Sequence, residues 1–351
     1  MTHSSQTATA TPAAESPWQK TRIFGMSLPI FALSFLVLIA AIATDTLPAG
    51  MIGALLVMMI LGELLGFLGD RLPIINSYLG GGAILAIFGA AALVYSGWLP
   101  QEVTANVSEF MKAGGFLNFY IAALITGSIL GMDSRVLVKV GARFALPLLC
   151  SVLFAALFAM LVGWVMGFSP KDAVMVIALP IMGGGMGAGA VPMSQIYEQL
   201  LGQPASYYIS ILVPALALGN VFAIIIAGLL NGLGKRFPSL TGGGQMMPGV
   251  NVREEKSTPD LSQLGIGMVI ALSFFVASQI LGKVIPLHPY ALMIIAVAVL
   301  KCANLVPENI NQAAAQWFRF VAGNWTFALL FGIGVAYTDL GQVIDAITIT
   351  Y

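Results

Sequence analysis

The residues best suited to chemistry form one run: Met182-Gly183-Gly184-Gly185-Met186-Gly187-Ala188-Gly189-Ala190-Val191-Pro192. Five of the seven residues from Gly183 to Gly189 are glycine. Uncharged apolar stretches flank the run, Val174 to Met182 before it and Ala190 to Tyr197 after it. Each stretch would span about 15 Å as a helix, half of a ~30 Å hydrocarbon core. Two half-helices meeting at glycines predict a discontinuous or re-entrant membrane segment. Breaking a helix frees backbone N–H and C=O groups. Half-helix N-termini attract carboxylates, and freed carbonyls suit Na⁺. Glycine lets the backbone approach a ligand closely. Gly183, Gly184, Gly185, Met186, Gly187 and Gly189 are therefore candidate substrate-binding residues. Ser194 and Gln195 follow the break and supply polar side chains to the same ligand. Gly183, Ser194 and Asn118 are candidate ion ligands. Close helix packing is the simpler explanation of a glycine cluster. The density here, followed by Pro192, exceeds what packing needs.

Little else in the chain offers a reactive constellation. His3 and His288 are the two histidines, too few for a histidine-based metal centre or relay. Cys150 and Cys302 fall in apolar runs and read as small core residues, so no metal site is expected. No Ser-His pair, paired aspartates or metal cluster lies within an apolar segment, which argues against an intramembrane enzyme. Gly80–Gly82 suits close packing and Gly242–Gly244 a flexible linker. Glu63 falls near the end of an apolar run, where it would snorkel or pair with Arg71. Arg319 snorkels from the start of another run.

These residues need a membrane fold to position them. The chain of 351 residues is 58% hydrophobic and 9% charged. Soluble domains carry about 25% charge. Basic and acidic residues balance at 15 each, which excludes an electrostatic nucleic-acid binder. Residues 1–24 form a polar tail, expected to be disordered and cytoplasmic because Lys20 and Arg22 precede the first apolar run. Candidate spans are 28–44, 48–69, 78–98, 113–132, 143–168, 206–231, 263–282, 289–305 and 312–337. Residues 25–231 then make a first transmembrane region, 232–262 a linker, and 263–351 a second region. The linker carries Lys235, Arg236, Arg253 and Lys256. It becomes cytoplasmic only if 173–198 dips into the membrane and returns to the external side.

A faint repeat supports this division. Asn118-Phe119 precedes Asp133 as Asn324-Trp325 precedes Asp339, and Leu68-Gly69 before Pro73 echoes Leu281-Gly282 before Pro286. By span counting the two copies run in opposite senses, an inverted-topology repeat. The expected fold is an all-α polytopic membrane protein with an inverted repeat, a re-entrant hairpin and an incomplete second repeat. A second hairpin would fall beyond Tyr351, so a C-terminally truncated chain is also expected.

The run Pro180 to Tyr197 resembles the first GGxG hairpin of the 2-hydroxycarboxylate transporter family, which includes bacterial sodium/citrate symporters and malate or citrate/lactate carriers. The resemblance extends over residues from about 25 to 351. It implies two re-entrant hairpins, homodimers, and elevator-like movement of the hairpin-bearing domain in the bacterial inner membrane. It implies symport of a small carboxylate, citrate or malate, with Na⁺ as coupling ion and no enzymatic cofactor. H⁺ coupling, exchange, or a non-transporting remnant are the alternatives. Gly183, Gly184, Gly185, Gly187 and Ser194 are the family's first-hairpin positions in this chain. Membrane lipid is the expected surroundings.

Overall fold

The computed structural model describes residues 21–78, 81–182, 193, 197–198, 200–244 and 260–345. The chain divides into two units, Met1–Pro48 and Ala49–Tyr351.

In the first unit, strands β1 (Arg22–Ile23) and β2 (Met26–Ser27) pair antiparallel. Phe24 and Gly25 join them with φ of 51° and 72°. Positive φ at both central residues is what a tight hairpin turn requires. The expected tail of 1–24 therefore ends in this hairpin, and residues 1–20 lie outside the described part. Helix α1 (Leu28–Ala43) follows, with proline in its first turn. It agrees with the expected span of 28–44.

The second unit is helical throughout its described residues. Its first helices are α2 (Met51–Arg71), α3 (Pro73–Tyr78), α4 (Gly82–Tyr95), α5 (Gln101–Lys112), α6 (Phe116–Leu130) and α7 (Ser134–Val165). After the glycine segment come α8 (Ala205–Arg236), α9 (Leu261–Leu281), α10 (Pro289–Cys302), α11 (Glu308–Tyr337) and α12 (Leu340–Asp345). Among the described residues, four stretches are long and apolar enough to cross a membrane: α2, Leu137–Val165 of α7, α9 and α11. The pair α5 and α6, bent by 40°, makes a fifth if counted as one span. This is an all-α polytopic membrane protein.

Three expectations change. Residues 101–112, read as a loop, form α5. Val103, Val107 and Met111 recur every fourth residue and are buried, while polar side chains cover the opposite face. Helical periodicity, not mean hydropathy, defines this element. Helix α7 begins at Ser134 rather than near 143, so Lys139 and Arg143 stand on a helix instead of in a loop. Cys302 is exposed and Cys150 half-buried, both as free thiols, so neither is a core residue.

The elements before and after the linker match in length and bonding. Helices α2 and α9 each have 21 residues, and α4 and α10 each have 14. The stretch 101–130 of α5 and α6 parallels the 30 residues of α11. Pro100 and Pro307 cap these stretches with nearly the same backbone, φ −56° and ψ 149° against φ −59° and ψ 148°. The Gly50 N–H donates to Asn106 Oδ1, and the Asp260 N–H donates to Gln316 Oε1, each across 56 residues. Each bond ties the start of its helix to the neighbouring α5 or α11.

Helix α11 crosses α5 and α6 in the opposite direction. Met111 lies against Gly332, Phe119 against Trp325 and Gly127 against Phe318. Tyr120 and Thr326 share a 2.8 Å hydrogen bond at a separation of 206 residues, the spacing that relates Asn118 to Asn324. At Gly127 a Cβ would overlap the Phe318 Cβ and the Ala314 carbonyl. Small residues at such points let two backbones approach without a lost hydrogen bond.

Gly127→Leu should therefore lower stability by about 1–3 kcal/mol or more, since the neighbour is backbone. Tyr120→Phe should cost less, about 0.6 kcal/mol. Thermal midpoints of the detergent-solubilised protein, read by size-exclusion fluorescence, test the order; a Gly127→Leu protein as stable as wild type would contradict the packing.

Candidate functional site

The glycine run is approached by a leading arm, residues 170–182. It consists of Pro170–Asp172, a π-helical stretch Ala173–Ala178 and a last turn Leu179–Met182. Pro180 carries no N–H, so the Val176 carbonyl loses its usual α-helical partner. A widened π turn occupies this position, a geometry frequent at functional sites.

The returning side lies against the leading arm. The Tyr197 hydroxyl donates to the Met175 carbonyl, 22 residues earlier. In one straight helix those residues would stand about 33 Å apart. Tyr197, Tyr208, Leu212 and Leu216 form a buried cluster with Met175, Val176 and Met193 packed on it. The Tyr197 and Tyr208 rings meet edge to face at 5.6 Å. Tyr197 is thus folded back against the leading arm at Met175.

Two long helices wall the leading arm. A Cβ on Gly163 of α7 would sit 2.5 Å from the Ala173 Cβ. One on Gly219 of α8 would sit 2.6 Å from Ile181. Both glycines mark the closest approach of a wall helix to the arm. None of Tyr197, Gly163 and Gly219 stood out in the sequence. Their significance lies in tertiary contacts, and nothing in their local spacing announces it.

Gly183, Gly184, Gly185, Met186, Gly187, Gly189, Ser194 and Gln195 lie outside the described residues. Asn118 is described, on α6. Its Oδ1 accepts a hydrogen bond from the Tyr290 hydroxyl of α10. The helices packed on α6 are α5, α9, α10 and α11, whereas the leading arm packs on α7 and α8. The Asn324 side chain donates to the Phe320 carbonyl of its own helix. Arg71 lies over the Phe67 ring, 4.0 Å from its centroid, in place of the expected pairing with Glu63. His288 caps α10 and its Nδ1 accepts the Tyr290 N–H at 3.3 Å. Burial lowers the His288 pKa below its ordinary value, which keeps that acceptor unprotonated. Among the described residues no group of three or more His, Cys, Asp or Glu side chains converges for a metal.

Apolar helices long enough to cross a membrane, two of which wall the arm that leads to the glycine run, define a polytopic membrane protein. A profile of the 2-hydroxycarboxylate transporter family matches residues 23–351. The chain is 36% identical to the Na⁺-malate symporter of Bacillus subtilis, over 92% of this chain and 73% of that protein. It is 40% identical to the malate transporter MleP of Lactococcus lactis, over 94% of this chain and 79% of that protein. It is 33% identical to the citrate/sodium symporter of Salmonella typhimurium, over 99% of this chain and 80% of that protein. The chain belongs to the 2-hydroxycarboxylate transporter family, whose members are transporters and not enzymes.

The two walls make separable demands on the arm. Gly219→Leu should force Ile181 aside and loosen it, while Tyr197→Phe removes one hydrogen bond worth about 1 kcal/mol. Limited trypsin cleavage at the exposed Lys171, at the start of the arm, is the readout. Cleavage should accelerate several-fold in Gly219→Leu and modestly in Tyr197→Phe; an unchanged rate in both would mean that these contacts do not hold the arm.

Proposed function

We propose that this chain is a secondary active carrier that moves a 2-hydroxycarboxylate, citrate or malate, together with Na⁺ across a bacterial inner membrane. The observation that carries this reading is the contact between Met175 and Tyr197, which stand before and after the glycine run in the sequence. The names of the relatives, sodium/citrate and sodium/malate symporters, supply the substrate class and the ion.

The chemistry follows from the break. The substrate is a di- or trianion, costly to strip of water. Backbone N–H groups at half-helix ends offset that cost without bringing a mobile counter-charge. Gly183, Gly184, Gly185, Met186, Gly187 and Gly189 present this backbone, and Ser194 and Gln195 add side-chain donors or ligands. Carbonyls freed at the break, with Gly183 and Ser194, hold Na⁺ beside the anion. Bound together, the cation lowers the net charge that must cross, which is the electrostatic reason for symport. Asn118 serves as an ion ligand only when the Tyr290 hydroxyl yields its Oδ1.

The matched halves around Tyr120 and Thr326 support an inverted repeat in this reading. The halves hold the break from both sides of the membrane, and the protein works as a homodimer within the lipid. The N-terminus and the 232–262 linker are cytoplasmic, and 173–198 enters and leaves from the periplasmic side. The lysines and arginines of the linker support that orientation.

The test of transport is uptake of labelled citrate and malate by proteoliposomes under an inward Na⁺ gradient. Gradient-dependent accumulation is expected in wild type. Gly185→Leu and Gly187→Leu should abolish it without loss of folded protein, because the added side chain blocks backbone approach. Uptake that ignores Na⁺, or that survives both substitutions, would overturn the assignment.

Orientation has its own test. A single cysteine at Ser257, in a chain whose two native cysteines are replaced, should resist an impermeant thiol reagent in intact cells and react after permeabilisation. Labelling in intact cells would place the linker outside and defeat the re-entrant reading.

A further inference from the structure

We propose that the start of α7, with the apolar stripe that continues from it, is a docking face for an anionic phospholipid. The inference needs only that α7 crosses the membrane and is independent of what the protein carries.

Helix α7 has 32 residues. At ~1.5 Å per residue it is about 48 Å long, well beyond a ~30 Å hydrocarbon core. Its sequence says which end projects. Arg135, Lys139 and Arg143 fall in the first ten residues, and no charged residue follows from Phe144 to Val165. Trp164 stands near the far end and is 66% exposed. Tryptophan marks the membrane interface. From Arg143 to Trp164 the helix rises about 31 Å, one hydrocarbon thickness. Arg143 then lies at the hydrocarbon boundary and Lys139 about 6 Å beyond it, at headgroup depth.

The three cations share one side of the helix. Steps of four residues advance ~40° around the axis, so positions 135, 139 and 143 keep to a narrow sector. Leu146, Leu153, Leu157 and Leu161 continue that sector, and all four are exposed. The crossing window of α7 has no buried residue. Lys139 and Arg143 are exposed as well. One acidic residue, Asp133, lies between Met132 and Val165 to balance the three cations. The neighbouring end of α10 adds no negative side chain. Ser134 donates to the Lys301 backbone carbonyl there.

This placement is unfavourable for the helix alone. Lys139 and Arg143 stand one turn apart and repel each other. A bound anion relieves that repulsion. A soluble anion would satisfy the charges and ignore the leucines. A zwitterionic lipid would satisfy the leucines but bring its own cation to the lysine and arginine. A phospholipid with a net negative headgroup satisfies both, with phosphate against Lys139 and Arg143 and acyl chains along Leu146 to Leu161.

The experiment uses the full purified chain in mild detergent with added phosphatidylglycerol or phosphatidylcholine, and counts retained lipid by native mass spectrometry. Phosphatidylglycerol should be retained in preference. Lys139→Gln with Arg143→Gln should weaken that retention by about tenfold to thirtyfold, from the ~1 kcal/mol that each juxtamembrane cation contributes. Lys139→Arg with Arg143→Lys, which keeps both charges, should preserve it. Equal retention of the two lipids, or an undiminished preference in the glutamine variant, would overturn the proposal. Displacement of the lipid by millimolar glycerol phosphate would overturn it too, by showing that a free anion suffices.

Discussion

Hydrocarbon offers no hydrogen bonds, so every backbone group at membrane depth needs a partner within the protein. That constraint shapes the surroundings of the glycine run more than any side chain does. A broken helix exposes donors and acceptors that lipid cannot satisfy. The leading arm is accordingly walled by α7 and α8, with glycines at the two points of closest approach. Its π-helical carbonyl at Met175 receives the Tyr197 hydroxyl. A tyrosine suits this place because its ring joins the apolar cluster with Tyr208 and Leu212 while its hydroxyl pairs with the backbone.

The same constraint explains the crossing of α11 with α5 and α6. Between apolar helices in lipid there is no hydrophobic drive to associate, so close backbone contact and a few polar bonds must hold them. The crossing supplies both. Gly127 and Gly332 admit neighbours that a Cβ would exclude, and Tyr120 pairs with Thr326 where the matched residues meet. Around that bond Phe116, Phe119, Trp317 and Trp325 pack ring against ring, with centroids 5.7 to 6.1 Å apart. Such contacts are short-ranged and leave little room for adjustment, which suits a frame against which other parts work.

Much of this was legible in the sequence. Apolar run length placed α1, α2, α9 and α10 within a few residues, because a helix at membrane depth is apolar wherever it meets lipid. The glycine run drew attention to the segment whose leading arm is walled by α7 and α8. What escaped were elements that hydropathy does not measure. Helix α5 is polar on average and is betrayed by the four-residue spacing of Val103, Val107 and Met111. The first ten residues of α7 were mistaken for a loop because charge was read as absence of helix, when it marks only departure from hydrocarbon. The bonds from Gly50 to Asn106 and from Asp260 to Gln316 were not legible either, because they join residues 56 positions apart.

The bend between α5 and α6 has a physical origin. Pro100 matches Pro307, 207 positions on, but Tyr120 meets Thr326 at 206. One extra residue therefore lies between Pro100 and Tyr120. In an unbroken helix, one added residue would rotate everything after it by ~100° and turn Phe119 and Tyr120 away from α11. The chain instead absorbs it at Ala113–Gly115. The Gly114 N–H reaches back five residues to the Glu109 carbonyl at 2.8 Å, a wide turn, and Gly115 takes φ of 74°. A left-handed residue is inexpensive only as glycine. The 40° bend falls at this wide turn and left-handed glycine, and α11, which has neither, runs on unbroken.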